Sequence, residues 1–243
     1  MKNVKLIKMI IPKSQIAALS DAKKKQLLML MGMMRDLNLL QKMLLYIAQS
    51  KTSTEPEEDA KETTVAFFLK NLISKIYEMY IFFNNSGIKS DRINFSDELQ
   101  KKRKAVDDFY KAKGVREIFS FIRNKFGFHY GYENDIDGLI AEAFEDEDFV
   151  MWLSPQNSTN EIFPSLDKIS LKVIITEMRR LGFTENLFNT LLALSIEAAN
   201  IFREFYVLYL SESFNLNPSK GQAMAINALT LNDVSLPLII DNN

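Results

Sequence analysis

The residues of this chain best suited to chemistry lie in one short stretch, IFSFIRNKFGFHYGY, residues 118–132. Its polar members are Arg123, Asn124, Lys125 and His129, set among aromatics. His129 is the only histidine of the chain. An imidazole titrates near neutrality and can give or take a proton. A guanidinium offers a planar fork of donors that matches phosphate oxygens. The absent residue types narrow the chemistry further. With no cysteine, disulfides, iron–sulfur clusters, cysteine zinc sites and thiol nucleophiles are excluded. With a single histidine, zinc sites of several histidines and two-histidine di-iron sites are excluded too. No P-loop, dinucleotide-binding glycine fingerprint or nucleophile elbow occurs. No metal site and no cofactor are expected.

The elements that must position these residues are helices. The chain has 243 residues, of which 47% are hydrophobic and 25% charged, a globular balance. Only 8 Gly and 6 Pro are present, so turns are few and a small number of long elements carries the fold. That argues against sandwiches, barrels and propellers. Three segments of about 30 residues, each about 45 Å of helix, carry helical periodicity. In the first, residues 21–50, Leu27, Leu30, Met34, Leu37, Leu44 and Ala48 recur at steps of three and four, with Gln41 in the one polar slot. Ser20 or Asp21 caps its start. In the second, residues 56–85, the stripe is Val65, Leu69, Leu72, Ile76, Met79 and Phe83. In the third, residues 184–213, apolar residues cover so wide an arc that a central place in a bundle is expected. Shorter helices are expected from Ser96 to about Gly114, from Val115 through the histidine region, over 135–144 and over 167–181. Residues 146–166 read as an irregular surface loop with a short strand pair. The tail after Asn215 reads as one weak helix and a docked apolar end, LPLII. The expectation is an all-α fold: one domain over residues 1–243, an antiparallel helical bundle with three long helices and several shorter ones. A division near 146–166 is the alternative. The longest uninterrupted apolar run, Leu27 to Met34, is far short of the roughly 20 residues that span a membrane. The N-terminal stretch is broken by Lys5 and Lys8. A cytoplasmic protein without a membrane segment is expected.

Arg123 followed directly by Asn124, with His129 after an interval of five residues, resembles the signature of the HEPN superfamily (higher eukaryotes and prokaryotes nucleotide-binding). HEPN domains are helical bundles with this motif on a late core helix. Many members are metal-independent ribonucleases that act as homodimers, with the motifs of two subunits forming one site; others share the fold without the activity. The resemblance therefore implies Arg123, Asn124 and His129 as catalytic residues, RNA as substrate, a homodimer, and a protein antitoxin or other regulator as a further partner. In such a site the RNA 2′-hydroxyl attacks the adjacent phosphorus. A base takes its proton, an acid protonates the leaving 5′-oxygen, and a cation steadies the phosphorane charge. With one histidine per chain, separate acid and base imidazoles need two chains; in a monomer Tyr130 or Tyr132 is the nearest other group. Many nuclease members place a Tyr two residues after the His, where this chain has Gly131. Six positions of ideal helix rotate about 240°, so Arg123 and His129 share a face only if the helix is distorted, which Gly127 permits. Alternatively, the helix ends near His129, with Gly131 as its terminal turn.

Charge is polarised beside the motif. Residues 89–125 hold eleven Lys or Arg and six Asp or Glu, while residues 133–148 hold eight acids and no base. The densest basic run is Lys101, Lys102, Arg103 and Lys104. With Lys125, Tyr130 and Tyr132 it forms the candidate RNA-binding set, through backbone charge and base stacking. A solvated helix face explains the basic run equally well, and core packing explains the aromatics. Three functions stand open on the residues alone: a HEPN-like ribonuclease, a non-catalytic HEPN-like module binding RNA, nucleotide or a protein, and a helical scaffold.

Overall fold

The computed structural model describes residues 2–8, 10–86, 88, 95–127, 148, 150–153, 162–184, 186–215 and 222–228. In chain order the elements are β1 (Lys2–Lys8), α1 (Lys13–Ala17), α2 (Asp21–Ala48), α3 (Glu55–Asn85), α4 (Asp97–Lys111) and α5 (Val115–Ile122). A π-turn (Arg123–Gly127), α6 (Pro164–Arg180), α7 (Leu187–Ser213) and β2 (Gln222–Ala228) follow. The fold is an all-α antiparallel bundle with three long helices, α2, α3 and α7, as the periodicity predicts.

The helix ends follow from local chemistry. At α2 the Ser20 hydroxyl accepts from the Lys23 amide. At α3 the Glu57 carboxylate accepts from the amides of Ser53 and Thr54, at 2.8 and 3.1 Å. Those amide donors, Ser53 first, lower its pKa from the ordinary carboxylate value. Helix α6 starts at Pro164, three residues before the predicted Asp167, because proline is tolerated at the first helical position, where its missing N–H is not needed.

The core joins α2, α3, α4, α5, α6 and α7. Leu30 and Leu37 of α2, Leu72, Ile76 and Met79 of α3, and Phe202 and Tyr206 of α7 are fully buried. Two phenols are sealed in it. Tyr206 Oη donates to the Met79 carbonyl at 3.1 Å and Tyr110 Oη to that of Ile76 at 3.3 Å, and burial pushes both pKa values well up. Gln26, not Gln41, is the buried polar side chain of α2; it accepts from Tyr209 Oη at 3.2 Å. Met34 is half-buried and Ala48 exposed, with Ile47 buried in its stead.

Three departures from the sequence reading concern the ends and the loop. The predicted weak helix in the tail is instead β2, paired antiparallel with β1 so that Val4 faces Ile226 and Leu6 faces Met224 in register. Its partner lies over two hundred residues away, so local periodicity carries no sign of the pairing. In the irregular stretch, Trp152 and Ile162 form an isolated antiparallel bridge, a minimal version of the expected strand pair. Trp152 Nε1 donates to Asp59 of α3 at 2.8 Å. Helix α7 begins at Leu187, three residues after the predicted Thr184, with Asn186 as its cap. The helix expected over 135–144 and the apolar end LPLII lie outside the described residues.

Candidate functional site

Gly114 makes the corner between α4 and α5 at φ +78°, a left-handed conformation that favours glycine. From it α5 buries Val115, Ile118, Phe119 and Ile122, an i, i+3, i+4, i+7 row that fixes the helix against the core. Directly after Ile122 the helix widens into the π-turn, Arg123–Gly127. A π-turn closes i→i+5 bonds and so packs more residues into each turn than an α-helix. The π-turn ends at Gly127.

The π-turn leans on α3. Arg123 Nε donates to Glu78 Oε1 at 2.7 Å, and Nη2 meets the same oxygen at 2.6 Å. Nη1 donates to Asn124 Oδ1 at 2.9 Å, and Asn124 Nδ2 reaches back to Ser120 Oγ at 3.4 Å. The Arg123 and Glu78 side chains are 36% and 28% exposed, so water screens the pair and its worth is about 1 kcal/mol at most. Two turns earlier on α3, Lys70 pairs with Asp167 of α6 at 2.9 Å and lies 5.9 Å from the Phe126 ring centroid. Phe126 packs edge-on to Phe121. Helix α3 thus holds the π-turn at two points, Lys70 and Glu78.

Asn124 and Lys125 border a shallow hollow of about 450 Å³, completed by Tyr77 of α3, Arg116, Glu117, Ser120 and Phe121 of α5, and Glu177 and Arg180 of α6. Of the basic run, Lys101, Arg103 and Lys104 line a different depression, of about 560 Å³, on α4. They are interspersed there with Asp97, Asp107 and Asp108, and the two depressions share no lining residue. Lys102 turns toward α7, where it pairs with Glu204 at 2.7 Å. Each holds the other charged: the Lys102 pKa is raised and the Glu204 pKa lowered. The candidate residues therefore divide. Arg123, Asn124 and Lys125 come together on the π-turn, whereas Lys101, Lys102, Arg103 and Lys104 belong to α4. His129, Tyr130 and Tyr132 lie outside the described residues, as does the acidic run except for exposed Asp148. Of the motif aromatics, Phe119 is buried and Phe121 and Phe126 are half-buried.

Sequence reasoning missed Glu78, Tyr77, Arg116 and Arg180. Arg116, Ser120 and Asn124 recur at four-residue steps, a signal open to detection. Glu78 sits between core positions Ile76 and Met79 and carries no local sign of its partner. Among the described residues, no group of three or more acidic or histidine side chains could hold a metal ion. No helix among them is long and apolar enough to cross a membrane. Comparison of the chain with models of known families, with curated proteins and with solved structures gives no match.

Proposed function

We propose that the chain is a HEPN-like, metal-independent ribonuclease, RNA-processing or toxin-like, acting through Arg123, Asn124 and His129. The observation that carries this reading is the π-turn. It begins at Arg123, whose guanidinium is oriented by Glu78 and Asn124, and the next two residues, Asn124 and Lys125, border a hollow bearing further cations. A guanidinium already oriented loses little freedom when it meets a phosphate, so more of its interaction is left for the developing phosphorane charge. His129 supplies proton transfer, and with one imidazole per chain a second copy supplies the other, which makes the active form a homodimer. A cytoplasmic setting agrees with the lack of cysteine.

The second reading is a non-catalytic HEPN-like module that binds RNA, nucleotide or a protein partner. The Arg123–Glu78 pair favours it, because an arginine engaged by a carboxylate is also what a structural ion pair requires. One experiment separates them. Purified protein is incubated with RNA in EDTA, and the ends of any products are analysed. The nuclease reading expects 2′,3′-cyclic phosphate ends, abolition by His129→Ala, and loss of orders of magnitude in Arg123→Ala with poor rescue by Arg123→Lys. No cleavage by the wild type, or equal cleavage by a folded His129→Ala, would refute it.

A further inference from the structure

The hollow at the head of the π-turn has features that the Arg123–Asn124 pair alone does not need. Arg116, Ser120 and Asn124 run along one edge for about 12 Å, at 1.5 Å per residue. Arg116 is exposed and forms no ion pair among the described residues. Arg180, by contrast, is bound through Nε and Nη2 to both carboxylate oxygens of Glu177, at 2.8 and 2.6 Å. Tyr77 and Phe121, both half-buried, bring aromatic rings to the same hollow from two different helices. A cation beside aromatic surface is the arrangement that holds one unpaired base and its phosphate without reading sequence. Glu117 and Glu177 share the hollow with these groups. In a duplex both faces of each base are already stacked and none is free for Tyr77, so a duplex fits poorly where a single strand fits.

We propose that this hollow seats one unpaired nucleotide of a single-stranded RNA, with Arg116 on a phosphate and Tyr77 against the base, next to the Arg123–Asn124 pair. The proposal rests on the RNA-directed reading above. It gives the strand a route over α5, not along the Lys101–Lys104 run of α4.

The test is binding of the full chain to a short, fluorescent, fully 2′-O-methylated single-stranded RNA, followed by anisotropy. That probe has no 2′-hydroxyl to attack, so binding is read independently of cleavage. Tyr77→Ala is expected to weaken binding about tenfold and Tyr77→Phe to keep it, because stacking needs only the ring. Arg116→Ala is expected to weaken binding and to lower the slope of log affinity against log salt by about 0.7. A duplex of the same sequence is expected to bind more weakly. Circular dichroism confirms that the variants are folded. Wild-type protein that binds no RNA, that prefers the duplex, or whose Tyr77→Ala and Arg116→Ala variants bind within about twofold of it, overturns the proposal. Cleavage of ordinary RNA by a protein with those results would leave the nuclease reading standing and the hollow refuted. Binding that depends on Tyr77 and Arg116 in a protein that cuts nothing would do the reverse.

Discussion

Gly114→Ala tests how α5, and with it the π-turn, is placed. Gly114 stands nine residues ahead of Arg123 and holds φ +78°. An L-residue in that region costs about 1–2 kcal/mol from the contact of its Cβ with the backbone. The new methyl would also sit 2.9 Å from Phe183 Cε2 and 3.3 Å from Leu181 Cβ. Relieving such overpacking costs about 1–3 kcal/mol more. The combined loss is about 3 kcal/mol, or about 6–12 °C in Tm for a chain of this size. Gly182→Ala is the matched control. It has φ +90°, but its nearest neighbour is the flexible Lys113 Nζ at 3.4 Å, so only the backbone cost of about 1–2 kcal/mol applies. Urea unfolding followed by circular dichroism measures both. The difference between the two variants isolates the encounter with Phe183. Adding Phe183→Leu, which removes the ring atom in the way, should make Gly114→Ala less costly than it is alone against wild type. A Gly114→Ala loss no larger than that of Gly182→Ala, or strictly additive behaviour with Phe183→Leu, would refute the reasoning.

Three further outcomes are expected. Tyr206→Phe removes the hydroxyl that donates to the Met79 carbonyl and should cost about 1 kcal/mol in urea unfolding, with the m-value unchanged. Asp36 has its pKa lowered, first by the hydrogen bond from Arg35 and then by Lys75 of α3. A carboxylate whose folded pKa lies below its unfolded value of about 4 contributes stability above that value and loses it as pH falls through the folded one. Thermal midpoints should therefore drop on going from about pH 5 to about pH 3, and Asp36→Asn should make that drop shallower. Trp152 is the only tryptophan, so Asp59→Ala, which removes the acceptor of its Nε1–H, should shift the intrinsic emission and cost about 1 kcal/mol. Unchanged emission would mean that the bond is not formed in solution.

The long helices were legible in the sequence because their stripes repeat at the helical period and their ends carry local chemistry. Ser20, Glu57 and Gly114 each act within a few residues of themselves, so their roles can be read without knowing the fold. Which apolar residues are inside was less legible. Leu28, Met31 and Leu39 of α2 are as apolar as Leu27, Leu30 and Leu37, yet they are 69%, 53% and 57% exposed. Helix α7, apolar nearly all round, still leaves Val207 52% exposed. Amphipathicity orients a helix only when one face is clearly polar; otherwise the neighbours decide. The candidate site divides in the same way. Arg123 and Asn124 stand out by type and adjacency, while the His129 spacing leaves open a distorted helix or a helix that ends near His129. That a π-turn starts at Arg123, that Glu78 holds the guanidinium, and that Arg116, Tyr77 and Arg180 gather beside Asn124 are decided by the tertiary structure. These side chains come from α3, α5, the π-turn and α6, and one-dimensional spacing carries no information about contacts between elements far apart in the chain. The same reason hides the β1–β2 pair, whose hydrogen bonds join the two ends of the sequence.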